Sequence, residues 1–210
     1  MNAARLVMSL VLMTSLLSPC LAQESDAKLF TRTEDVVYGQ KYGTALTMDV
    51  FQPKTNGNEA ALIYVVSGGW FSSHLAIDLG FAREFLKRGY TVFAVVHGSQ
   101  PKYDITEVLK DMHRSVRYVR FHAKDYNVDP DRIGIYGGSA GGHLSLMQGT
   151  AGDQGNPNSK DPVDKLSSRV QAAACFFPPT DFLNYGKPGE EALGTGVFKD
   201  YKAPFNGSSD

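Results

Sequence analysis

Gly137-Gly138-Ser139-Ala140-Gly141 is the stretch of this sequence best suited to covalent chemistry. It satisfies the pattern G-x-S-x-G, and the spacing has a physical reason. A serine on a sharp, strained turn between a strand and a helix has its hydroxyl lifted clear of the sheet. Side chains two residues before and after that serine would collide with neighbouring backbone, so glycine is needed there. The flanks agree: "RIGIYG" reads as a strand and "AGGHLSLMQG" as a helix. Ser139 is therefore a candidate nucleophile for acyl transfer, the alternative being a serine in a purely structural turn.

Attack on a carbonyl needs donors aimed at the oxygen where negative charge develops. The backbone N–H of Ala140, just after the serine, is one candidate. Gly68 and Gly69 in "VVSGGWF" are the others, because a glycine backbone can come close to a substrate carbonyl. Trp70 and Phe71 follow directly and either line the pocket or join the core. A serine hydroxyl is weakly nucleophilic without a histidine base oriented by an acid. The sequence holds five histidines. His143 lies one turn into the helix opened by Ser139 and reads as structural support. His97 ends an apolar strand and either borders the cleft or is structural. His74 follows the glycine loop, while His113 and His122 read as ordinary helix residues. Asp181 in "PPTDF" reads as a loop residue or helix cap.

The elements that must position these groups are legible as patterns. "LTMDVFQP" alternates Leu46, Met48 and Val50 with Thr47, Asp49 and Phe51, and two strands are expected between Val36 and Pro53. "ALIYVV" and "TVFAVV" are continuous apolar runs, as expected of strands covered on both faces. Between them "DLGFAREFLKRG" puts Leu79, Ala82, Phe85 and Leu86 on one helical face, with Gly89 as the stop. A long helix is expected from about Asp104 to Tyr126, with Asp104 and Glu107 forming a capping-box-like start. "VQAAACFF" reads as a further strand. This alternation predicts an α/β fold, a mainly parallel sheet with helices on both faces. Ligands of such sheets bind outside the carboxyl ends of the strands, which directs attention to "SGGWF", "HGSQP" and "GGSAGG".

The 210-residue length fits one domain, and a net charge of −1 with interspersed signs gives no basic stripe for a nucleic-acid partner. "MNAAR" followed by "LVMSLVLMTSLL" and "SPCLAQ" reads as a signal peptide over residues 1–22, cleaved after Ala22. The apolar run is too short for a stable membrane anchor. A secreted or periplasmic location is expected, with residues 23–210 as the folded domain. Cleavage would leave one cysteine, Cys175, which in "AAACFF" reads as a small buried core residue.

"VSGGW", "VDPDRIGIYGGSAGGHL" and "FFPPTDF" together resemble the α/β-hydrolase superfamily, nearest to its secreted esterase and lipase branch with acetylxylan and feruloyl esterase-like proteins. The resemblance runs from about Val36 to Asp181. It departs from the usual H-G-G-G-W, with Val66 and Ser67 in the first two places. It implies a serine carboxylic-ester hydrolase acting on short-chain or carbohydrate-linked esters, with no metal or organic cofactor. It also implies an acid and a histidine base from late loops, and neither is identifiable before Asp210. The domain is accordingly expected to be incomplete at its C-terminus, lacking the last strands and leaving an open sheet edge. A serine peptidase of the same fold and an inactive binding domain remain the alternatives.

Overall fold

Among the described residues, the apolar runs "ALIYVV", "TVFAVV" and "RIGIYG" become strands, and helices lie between them. The computed structural model describes residues 28–193, 196–201 and 203–205, so the leader lies outside the described residues. The strands are β1 (Phe30–Lys41), β2 (Thr44–Pro53), β3 (Ala61–Val66), β4 (Thr91–Val96), β5 (Ile133–Gly138) and β6 (Ala172–Phe176). The helices are α1 (Leu79–Leu86), α2 (Ile105–Phe121) and α3 (Ala140–Ala151). The six strands lie in the order β1-β2-β4-β3-β5-β6. β4, β3, β5 and β6 run parallel, while β2 is antiparallel to both β1 and β4.

Alternation along each strand divides the core between two faces. Ile63, Val65, Phe93, Val95, Ile133 and Ile135 pack against Met112, Val116 and Val119 of α2 and Leu144 of α3. Tyr64, Val66, Val92, Ala94 and Tyr136 face the other way, against Ala82 and Leu86 of α1. Helices therefore cover both faces, as the α/β pattern predicts. α1 starts where the Asp78 carboxylate accepts from Gly80 N–H. α2 starts where Asp104 accepts from Glu107 N–H at 2.8 Å, the cap read from the sequence.

Three expectations need correction. α2 stops at Phe121, short of Tyr126, because the next residues turn Ala123 and Val128 into the core, with Val128 N–H bonded to Ala123 O at 2.9 Å. β1 begins at Phe30, ahead of Val36; it is an edge strand with register shifts, so "TRTED" carries no apolar alternation to reveal it. Cys175 is only half-buried, because β6 is hydrogen-bonded to β5 alone among the described strands.

The β6 edge also exposes apolar surface. Phe176, Phe177 and Leu183 are 43%, 73% and 67% exposed. An unpaired edge beside exposed aromatic rings is a template for association. The 210-residue chain is expected to self-associate at micromolar concentration in light scattering, whereas a monomer that melts cooperatively would contradict this.

Candidate active site

Ser139 sits between β5 and α3 with φ 53° and ψ −122°. Only glycine adopts such a conformation without strain, of order ~1–3 kcal/mol for other residues. The surroundings enforce it. Ser139 N–H is tied to Phe176 O at 3.0 Å, and its carbonyl accepts the first helical bond from His143 N–H at 3.0 Å. A β-carbon on Gly137 would lie 2.6 Å from the Gly141 carbonyl, and one on Gly141 would lie 2.5 Å from Val65 O. Both flanking glycines are thus required by backbone contact, as the motif predicts. Ser139 is exposed, and its hydroxyl has no hydrogen-bond partner among the described residues.

The loop after β3 forms a second tight turn. Gly68 N–H bonds Phe71 O, and Phe71 N–H bonds Gly68 O, each at 3.0 Å. The central residues Gly69 and Trp70 both have positive φ, 54° and 63°, as a two-residue hairpin turn of this hand demands. The reciprocal pair consumes the Gly68 N–H, which corrects its assignment as an oxyanion donor. The N–H groups of Gly69, Trp70 and Ala140 have no acceptor among the described residues. Successive free N–H groups in a turn form an anion-binding concavity, and the Trp70 backbone N–H is one of those groups here.

The Trp70 ring itself is core, 2% exposed, with its edges and faces against His143, Phe182, Phe198, Tyr201 and Phe205. Phe71, by contrast, is 50% exposed. On the far side of the elbow, Phe177 lies against Gly138 with φ 41°, another strained bulky residue.

None of the five histidines contacts the Ser139 hydroxyl. His143 Nδ1 accepts from Trp70 Nε1 at 3.4 Å, and burial pushes its pKa down to about 4, so it is a neutral ring supporting the turn. His97 is buried, with Nδ1 2.7 Å from Gly98 O, and burial lowers it likewise to about 4. His122 pairs with Asp125, and the ring of His113 is partly buried on α2. Asp181 is exposed and accepts from the Leu183 and Asn184 amides at 3.0 and 2.9 Å, which makes it a turn residue. The Asn184 side chain and these amides hold its carboxyl below the usual range.

His74 belongs to a separate cluster with Asp35 and Asp49, the one group among the described residues whose ligand atoms, all within 4.8 Å of one another, are close enough for a metal. Its atoms already have partners. Arg32 Nε donates to the fully buried Asp49 at 2.8 Å, and His74 bridges Asp49 Oδ1 at 2.9 Å and Asp35 Oδ1 at 3.3 Å. The cluster ties the loop after β3 to the edge strand β1 and its neighbour β2. Asp49 falls on the polar side of the β2 alternation, so periodicity could not reveal its burial.

The loop after β4 (residues 97–103) supports the glycine turn. Ser99 Oγ accepts from Ser72 N–H at 2.8 Å and lies 3.1 Å from Ser72 O. Ser72 Oγ in turn donates to Val66 O at 2.6 Å. The loop is anchored below by Asp111, which accepts from Gly98 N–H at 3.0 Å and from Lys41 Nζ at 2.6 Å. Burial raises the Asp111 pKa, and Lys41 works against that rise.

Residues 48–199 match the family model BD-FAE. The chain is a member of the BD-FAE family. It is 29% identical over 155 residues to the probable carboxylic ester hydrolase LipM of Mycobacterium tuberculosis, covering 70% of this chain and 35% of LipM. It is 35% identical over 104 residues to an acetylxylan esterase of Xylanibacter ruminicola, covering 49% of this chain and 21% of that protein. A truncated carbohydrate esterase from gut microbiota superposes with a TM-score of 0.64 at 24% identity, covering 79% of this chain and 63% of that one. The fold is that of the α/β-hydrolases, and the relatives are carboxylic ester hydrolases. This chain spans about a third of LipM and less of the acetylxylan esterase.

Backbone strain at Ser139 is directly measurable. Ser139→Gly relieves the positive φ and Ser139→Ala keeps it, so the glycine variant is expected to be more stable than the alanine variant by about 1 kcal/mol in denaturant melts. Equal stabilities would show that the turn is unstrained.

Proposed function

We propose that this BD-FAE protein hydrolyses carboxylic esters with Ser139 as the nucleophile. The observation that carries the reading is the exposed Ser139 hydroxyl at φ 53°, held by the Gly137 and Gly141 contacts. No structural role in the fold requires a hydroxyl there, since it has no partner among the described residues. Ser139 Oγ attacks the ester carbonyl, and the carbonyl oxygen takes up negative charge facing the N–H groups of Gly69, Trp70 and Ala140. Collapse expels the alcohol and leaves an acyl-serine, which water cleaves to the free acid and the original serine. The base that takes the serine proton, and the acid that orients it, come from outside the described residues.

The substrate class we favour is a short acyl group on a small alcohol or carbohydrate. Support comes from the acetylxylan esterase among the relatives and from the exposed Phe177 ring beside Gly138 of the elbow. The apolar leader ending at Ala22 supports export to the periplasm or beyond.

The test is serine-directed. A fluorophosphonate probe is expected to label the full-length protein at Ser139, and Ser139→Ala is expected to lose at least about 10³-fold in kcat/KM on p-nitrophenyl acetate. A peptide p-nitroanilide run in parallel is expected to be a poor substrate. Absence of labelling in folded protein would favour a binding domain, and faster peptide than ester cleavage would favour a peptidase.

A further inference from the structure

Gln100 reaches the glycine turn twice. Its side-chain Nε2 donates to the Gly69 carbonyl at 2.6 Å, and its backbone N–H donates to the Trp70 carbonyl at 3.4 Å. The residue is 7% exposed, so the side chain is committed to this contact. A peptide unit is planar and trans, so its C=O and the following N–H point in opposite directions. Holding the Gly69 oxygen therefore fixes where the Trp70 N–H points. The preceding peptide is fixed in the same way, because Phe71 N–H holds the Gly68 oxygen and turns the Gly69 N–H outward.

The central peptide of a two-residue turn is its weakest point. It carries no hydrogen bond of the turn itself, and its reversal exchanges an outward N–H for an outward carbonyl, converting a donor into a repulsive group. Here the bond from Gln100 opposes that reversal. The loop bearing Gln100 is built to resist movement: Ser99 clamps Ser72 at both its amide and its carbonyl, and Gly98 is tied to the buried Asp111.

We propose that Gln100 is a positioning residue for ester hydrolysis, holding the Gly69–Trp70 peptide so that the Trp70 N–H faces the developing oxyanion. This rests on the reading of Ser139 as the nucleophile. Gln100 acts through the turn and does not touch substrate.

Two variants of nearly equal volume separate position from packing, both made in the full-length protein. Gln100→Met and Gln100→Leu each remove the donor while keeping the site filled. Each is expected to lower kcat by about 10- to 100-fold, with KM on p-nitrophenyl acetate within about twofold of the parent. The inhibition constant of phenylboronic acid, whose serine adduct is tetrahedral, is expected to rise by the same factor as kcat/KM falls. Thermal melts identify variants that remain folded. Unchanged kcat and boronate affinity in either folded variant, with an active parent, would overturn the role of Gln100 alone. A parent that neither turns over ester nor labels at Ser139 would overturn the hydrolase reading, and this proposal with it.

Discussion

Backbone touching backbone around Gly141 is the constraint on which the site depends. Its α-carbon lies so near the Val65 carbonyl that a β-carbon there would stand 2.5 Å away, and Gly137 is confined in the same way by Gly141. These contacts bring the start of α3 onto the ends of β3 and β5, leaving the intervening residue no unstrained conformation. Ser139 takes up the strain and presents its hydroxyl outward. The cost, about 1–3 kcal/mol, is a substantial fraction of the ~5–15 kcal/mol that stabilises a typical domain. The parallel core strands buried between α1 on one face and α2 and α3 on the other are what hold that local strain in place.

A second constraint meets the first at the carboxyl end of the sheet. The turn over residues 68–71 folds back on itself through the Gly68–Phe71 pair, leaving the Gly69 and Trp70 amides outward. Aromatic packing secures it on one side, where the Tyr201 ring crowds Gly69 and Trp70 is enclosed. Polar contacts secure it on the other, from Gln100 and Ser99 down to the buried Asp111–Lys41 pair. A site that must stabilise charge at one moment of a reaction benefits from donors fixed beforehand, and this turn is held from both flanks.

Much of the fold was legible in the sequence because the strands are apolar runs and the helices keep their period. "ALIYVV", "TVFAVV" and "RIGIYG" each became a strand in the parallel core. The elbow was legible for the same reason: its requirement for glycine is steric and therefore written in residue type. The failures have a common cause. Donor assignment depends on which way a peptide plane faces, and glycine spacing does not encode that, so Gly68 was assigned a role its N–H is not free to take and Trp70 was assigned one through its ring. Burial of Asp49 depends on partners contributed by Arg32 and His74, far apart in sequence. Gln100 was visible only as part of a loop at a strand's carboxyl end. Periodicity marks that location and says nothing of the side chain's target.

The most direct test of the account is a crystal structure of the full-length protein after reaction with diethyl p-nitrophenyl phosphate. The account predicts a phosphoryl group on Ser139 Oγ, its oxygen within about 2.7–3.1 Å of the amide nitrogens of Gly69, Trp70 and Ala140, with the Gly68–Phe71 pair intact. A phosphoryl oxygen bonded to Gly68 N–H with that pair broken, or an adduct on another residue, would contradict it.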